Sequence, residues 1–266
     1  MLANFHTHTT FCDGKNTPEE IVRHAIEKGF SAIGFSGHCR TEFDLRYCMK
    51  DTAGYIREIN RLKEAYQGKI RIFLGVEEDA FAPVNRADFD YIIGSAHYLH
   101  IRDHYLPVDS GPDYFEACVN ACDGNILAFV EHYYKDFCAY ILKRKPDVIG
   151  HFDLITKYDE LQNGRLSSNS RYWEIAEKYM RKAMESDAIF EVNSGGIARG
   201  LRTSTYPCER LLRLLKKQDG KVILSSDSHN VDTLGFYFAE IKQLLRDVGF
   251  QYTYTLGENG FEKVAL

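Results

Sequence analysis

The 266-residue chain is 44% hydrophobic, with a formal net charge of −5 and a pI near 6.1. That length suits one large domain, 1–266, with a sizeable core. The acidic balance, without a long basic run, disfavours nucleic acid as a partner, and no apolar run approaches the ~20 residues of a membrane span. Seven cysteines, an odd number with no C-x-x-C pair, fit a reducing compartment rather than a disulfide framework. The N-terminus lacks a basic stretch leading into an apolar one, so no signal peptide is expected. A cytoplasmic protein is the expectation.

Strand-like and helix-like stretches alternate. LANF (2–5) reads as a first strand and runs into FHTHTTFCDG (5–14). A helix is expected over 17–28. Thr17 is its N-cap, Pro18 its first residue, Glu20 the partner in a capping box, and Gly29 its stop. Ile21, Val22, Ala25 and Ile26 line one face of it. Next come SAIGFS (31–36), a helix at 52–67, IRIFLGV (70–76) and DYIIGSA (90–96). Helices at 113–122 and 126–144 lead to DVIG (147–150), and a helix at 169–186 leads to AIFEVN (188–193). A helix at 207–217, KVILSS (221–226) and a helix at 232–247 close the series. Short, almost continuously apolar runs are the mark of buried parallel strands. The pattern predicts an α/β fold. Seven β-α units in this length favour a closed parallel barrel over an open sheet, although periodicity alone does not separate the two.

Chemistry-bearing residues fall at the strand ends. His6 and His8 follow LANF, His38 follows SAIGFSG, Glu77 follows IRIFLGV, and His97 follows DYIIGSA. His151 follows DVIG, and Asp227 and His229 follow KVILSS. Only AIFEVN, of the seven strands, lacks such a residue at its end. Parallel strands open their C-termini on one face, so these residues converge. Residues two apart on a strand point the same way, so the H-x-H and D-x-H pairs each face one mouth. Asp13, in the loop after the first strand, is near enough to join. Imidazole nitrogen and carboxylate oxygen suit Zn²⁺, Mn²⁺ or Fe²⁺. Six histidines, two aspartates and a glutamate exceed the needs of one ion, so two or three ions are expected, with Glu77 or Asp227 bridging. A lone strand-end histidine is usually a surface or capping residue; it is the joint pattern that carries the metal reading. His24 and His132 on helices, and His100 and His104 in a loop, are read as non-ligands, and Cys12 and Cys39 as packing residues.

The chain resembles the PHP (polymerase and histidinol phosphatase) family. The resemblance rests on FHTHTTFCDG, GHC (37–39), GVEED (75–79), GSAHYLH (94–100), GHFD (150–153) and SSDSHN (225–230). It implies a distorted (β/α)7 TIM-like barrel with three divalent ions at the C-terminal ends of the strands. By position, one ion falls to His6, His8, Glu77 and Asp227, a second to Asp13, His38 and His229, and a third to Glu77, His97 and His151. Asp13 stands where some relatives carry histidine. GHFDLITKYDE (150–160) and NSGGIARG (193–200) resemble the histidinol-phosphate phosphatase branch, which implies hydrolysis of L-histidinol phosphate in histidine biosynthesis.

Polynuclear His/carboxylate sites suit phosphate ester hydrolysis by a metal-activated hydroxide, with Glu77, Asp227 and His229 closest to the chemistry. Neither a D-x-D at a first-strand end nor a C-x5-R motif is present to supply a protein nucleophile. For a small phosphate substrate, Arg199 in the Gly-rich loop and Arg165 in QNGRLSSN are the candidate anion binders, with Arg202 and Lys157 in reserve. Glu42, Asp44, Tyr98 and Tyr158 are candidates for the rest of the substrate. Other small phosphates as substrates, a non-catalytic metal-binding module and an amidohydrolase-like barrel remain as alternatives.

Overall fold

The computed structural model describes residues 2–266. Its elements, in chain order, are β1 (Ala3–Asn4), α1 (Pro18–Glu27), β2 (Ala32–Phe35), α2 (Thr52–Ala65), β3 (Arg71–Asp79), β4 (Tyr91–Ser95), β5 (Tyr98–Ile101) and β6 (His104–Pro107). Then follow α3 (Pro112–Ala121), α4 (Ile126–Arg144), β7 (Val148–Ile149), α5 (Ser170–Met184), β8 (Ile189–Asn193) and α6 (Gly195–Ala198). The chain ends with α7 (Glu209–Lys217), β9 (Val222–Ser225), α8 (Phe238–Val248), β10 (Tyr252–Gly257) and β11 (Gly260–Ala265). The capping box expected for α1 forms: Glu20 donates its amide to Thr17 Oγ1 at 3.3 Å, and Thr17 donates its own to the Glu20 carboxylate at 2.8 Å.

The strand order is β1-β2-β3-β4-β7-β8-β9, all parallel, continued by β10 and β11. The seven expected strands are these, in sequence order. The ring closes beyond the ends of β1 and β9, where Thr7 and Ser228 form a parallel bridge. His8 donates its amide to Ser228 O at 2.8 Å, and Ser228 donates to His6 O at 3.1 Å. Closure lies at the C-terminal rim because the N-terminal half of β9 is taken by β10, through Tyr254 opposite Ile223. This split seam is what distorts the (β/α)7 barrel. Phe5, Tyr91, Ile93, Val148, Ile189, Ile223 and Leu256 form one buried cluster. The outer helices pack on the sheet through two further clusters, one of them around α1 and α2.

Three expectations change. The segment holding His100 and His104 is a hairpin, β5 with β6, turning at Arg102 and Asp103, whose φ values of 48° and 64° suit a tight hairpin turn. The C-terminal hairpin β10–β11 was not anticipated. The last helix starts at Phe238 rather than 232, because Gly235 (φ 74°) and Tyr237 (φ 65°) interrupt the segment after a short 3-10 turn. Among the described residues, no helix is long and apolar enough to cross a membrane.

Candidate metal centre and active site

The closing bridge positions the first ligand-type residues. Thr7 pairs with Ser228, so His6 and His8 stand opposite Asp227 and His229 across the seam. His8 Nε2 lies 3.1 Å from Asp227 Oδ1, and the His8 and His229 rings stack with centroids 3.9 Å apart. A second bridge, His38 with Glu77, extends the β2–β3 pairing to the rim and puts His38 Nδ1 2.7 Å from Glu77 Oε2. Glu77 is the hub. Its Oε2 lies 3.3 Å from His6 Nε2 and 3.7 Å from His8 Nε2, while Oε1 lies 2.9 Å from His151 Nε2 and 3.3 Å from His97 Nε2. Asp13 reaches in from the loop, 3.2 Å from His229 Nε2 and 3.7 Å from His38 Nε2. That loop folds back so tightly that a Cβ at Gly14 would sit 2.5 Å from Thr9 N, which accounts for the glycine after Asp13. Asp227 takes a left-handed backbone (φ 49°), a conformation aspartate tolerates better than most residues.

All nine sequence-derived residues therefore meet at one rim, but in overlapping groups rather than separate sets. His8, Asp13, His38 and His229 form one group of donor atoms within 4.8 Å of one another; His6, His8 and Glu77 form a second; His38, Glu77 and His97 form a third. Nε2 of His6, Nε2 of His8 and Oε2 of Glu77 are buried and, although close to one another and to His38 and Asp227, make no hydrogen bond of acceptable angle. Buried polar atoms normally have partners, and convergent orphaned imidazole and carboxylate atoms are what a divalent cation satisfies. The residues present fit such ions.

The charges at Glu77 and His8 suit ligation, whereas at His6 and His97 burial is outweighed by carboxylates, Glu191 and Glu77 at the first and Glu77 at the second, which raise both rings until a cation competes for them. Burial would raise the Glu77 carboxyl, but His38, His6 and His97 beside it overcome that and hold it well below the usual carboxylate range. Burial, followed by the charges of His229 and His38, pushes His8 down to about 3, so its ring is neutral and free to ligate.

Sequence reasoning missed two supporting carboxylates. Glu191, on the one strand with no ligand-type residue at its end, accepts from His6 Nδ1 at 2.8 Å, His151 N at 2.6 Å and Asn193 Nδ2 at 2.9 Å. Asp79 lies 3.2 Å from both His97 Nδ1 and His97 N. Each steers a ring so that its Nε2 faces Glu77. The available signal was a charged residue inside an apolar strand, IFEVN, where burial demands a partner.

Above the cluster opens a cavity of about 460 Å³. Arg199 lines it, with Nη1 and Nη2 each 3.2 Å from Asp227 Oδ2 and Nη2 3.1 Å from His229 Nδ1. Arg165 does not line it; its guanidinium pairs with Glu116 at the surface. Lys157 lines the cavity in its place, along with Tyr98 and Tyr158. Arg202 stays behind the wall, its guanidinium 3.9 Å from the Tyr206 ring centroid. Glu42 pairs with Arg40, and Asp44 accepts from Tyr98 Oη at 2.9 Å.

A PHP domain family model matches residues 4–195. The chain belongs to the PHP domain family. This PHP domain is 27% identical over 272 residues to the probable histidinol-phosphatase of Schizosaccharomyces pombe, covering 94% of this chain and 87% of that protein. It is 27% identical over 258 residues to the histidinol-phosphatase of Bacillus subtilis, covering 88% and 95% respectively. Among solved structures, it superposes on the histidinol phosphate phosphatase of Lactococcus lactis, complexed with zinc, L-histidinol and phosphate, with a TM-score of 0.73. That match has 21% identity over 98% of this chain and 99% of that one, and it establishes a shared barrel fold.

Proposed function

We infer that this protein is a metal-dependent phosphoric monoester hydrolase that converts L-histidinol phosphate to L-histidinol and phosphate. The observation that carries the chemistry is the convergence on one rim of five histidines with Asp13 and Glu77, joined by His151 beside Glu77 and Asp227 beside His8, with buried donor atoms left without a hydrogen bond. The substrate follows from relatives named histidinol-phosphatase that align over nearly the whole chain.

Three divalent ions, zinc, manganese or iron, are proposed at His6, His8, Asp13, His38, Glu77, His97, His151, Asp227 and His229. Bound there, such ions supply positive charge for phosphoryl oxygens and lower the pKa of water toward neutrality. The chain's own residues do the rest. Glu77 and Asp227 spread negative charge between the groups, and Glu191 and Asp79 fix the rings of His6 and His97. Arg199 stays charged because the Asp227 carboxylate offsets its burial, and its planar fork offers two donors to a phosphate. Tyr47, Tyr98 and Tyr158 give the cavity an aromatic lining suited to an imidazole.

The test is phosphate release from L-histidinol phosphate, beside a panel of sugar and nucleotide monophosphates, after loading with Zn²⁺, Mn²⁺ or Fe²⁺. A kcat/KM for histidinol phosphate far above the panel supports the reading. Equal, slow release from every ester would reject the substrate while keeping the hydrolase.

A further inference from the structure

Resting on that reading, a second question is how the cavity tells an amine-bearing phosphate ester from a plain one. Asp109 provides the relevant observation. Among the described residues it is the only acid lining the cavity apart from the ligand-cluster carboxylates Asp13 and Asp227. Its side chain is 21% exposed, and that opening is toward the cavity it lines. Lys157 Nζ lies 2.9 Å from Asp109 Oδ2, and the Lys157 side chain also lines the cavity.

The pair is held rigidly. Val108 donates its amide to His97 O at 2.9 Å, which fastens the residue before Asp109 to the metal rim. Tyr158 donates its hydroxyl to Asp109 O at 2.7 Å, which ties the same loop to the segment after β7. Burial opposes ionisation of Asp109, but Lys157, with His97 and His151 beyond it, outweighs burial and lowers the carboxyl to about 2. Lys157 in turn sits close enough to Arg199 for their charges to oppose one another. Arg46, the third cation in the lining, is paired with Asp44 at 2.6 Å, so the remaining wall runs from two neighbouring cations at Arg199 and Lys157 to one anion at Asp109.

L-Histidinol phosphate carries its ammonium on the carbon next to the ester carbon, so its phosphate and ammonium form a short dipole. That dipole fits the wall when the phosphate lies by Arg199 and Lys157 and the ammonium by Asp109. We propose that Asp109 is the specificity-determining residue for the amine of the substrate, accepting its ammonium, while Lys157 faces the phosphoryl group. A purely structural Asp109–Lys157 pair, joining two loops, would not distinguish substrates by their amine.

The experiment compares L-histidinol phosphate with its deamino analogue, 3-(imidazol-4-yl)propyl phosphate, on the metal-loaded wild type, Asp109→Asn and Lys157→Met. The wild type is expected to prefer the amine-bearing ester. In Asp109→Asn, the ratio of the two kcat/KM values should fall roughly 10- to 100-fold, the range of one hydrogen bond to a charged group. Inhibition by L-histidinol should weaken relative to inhibition by inorganic phosphate. Lys157→Met should lower kcat/KM for both esters while the amine-bearing ester remains the preferred one, because the Asp109 carboxyl is still present. Should Asp109→Asn not fold, with Lys157 left unpaired, the neutral double variant compared with Lys157→Met must show the same fall in ratio. An unaltered ratio overturns the assignment and leaves the hydrolase standing. Wild type that ignores histidinol phosphate overturns the functional reading along with it.

Discussion

Replacing Glu191 with glutamine changes one atom in a buried site and should disable the metal centre. Glu191 Oε1 accepts from His151 N at 2.6 Å and from Asn193 Nδ2 at 2.9 Å, and Oε2 meets His6 Nδ1 at 2.8 Å. In Glu191→Gln the amide oxygen best takes the place of Oε1, because that atom serves two donors. The NH2 group then faces His6 Nδ1, which must become an acceptor. The imidazole proton moves to Nε2, the atom pointing at Glu77 and Asp227, and Nε2 can no longer ligate. Disturbed orienting partners cost roughly 10- to 100-fold in metal affinity. If the tautomer does not switch, two donors face each other in the core, which costs about 1–3 kcal/mol. For chains of this size that corresponds to roughly 2–4 °C in Tm per kcal/mol. The assay is competition with a chromophoric chelator for Zn²⁺, paired with thermal unfolding of metal-free protein. Wild-type ion affinity together with wild-type Tm in Glu191→Gln would refute the reasoning.

Further outcomes follow from the same geometry. Glu77→Gln should abolish phosphate release while the purified protein keeps its far-UV circular dichroism, since Glu77 touches five of the proposed ligands' surroundings but supports no outer packing; retained turnover removes it from the site. Arg199→Ala should raise KM for phosphate esters more than it lowers kcat, whereas Arg165→Ala, turned away toward Glu116, should alter kcat/KM less than about twofold. Gly75→Ala places a Cβ 2.2 Å from the Tyr91 ring inside the barrel and should cost about 1–3 kcal/mol or more by urea unfolding. Arg46 lowers the Asp44 carboxyl to about 2. Its stabilising contribution is therefore complete above the unfolded value near 4 and fades as pH falls toward 2, so the Tm gap between wild type and Asp44→Asn should close over that window.

The sequence by itself determined the seven parallel strands and the residues at their ends. The reason is geometrical: a parallel β-α series presents every strand terminus on one face, so order along the chain already implies convergence in space. His6, His8, His38, Glu77, His97, His151, Asp227 and His229 were legible for that reason, and Asp13 by its nearness to the first strand. The capping box of α1 was equally legible, because it is closed by residues three apart.

What tertiary structure alone decided involves partners far apart in the chain. The contact between Glu191 and His6 spans 185 positions, and that between Lys157 and Asp109 spans 48. No local period encodes such a pairing, so Glu191 read only as a charge within an apolar strand. Arg165 and Lys157 looked alike as loop cations; the presence of Glu116 beside one and Asp109 beside the other set their places. The two hairpins escaped for a related reason. β5, β6 and β11 mix polar and apolar residues without clean alternation; β10 alternates tyrosine and threonine but buries Thr253 and Thr255 and exposes Tyr252, and its place is set by pairing with β9, far from it in the chain.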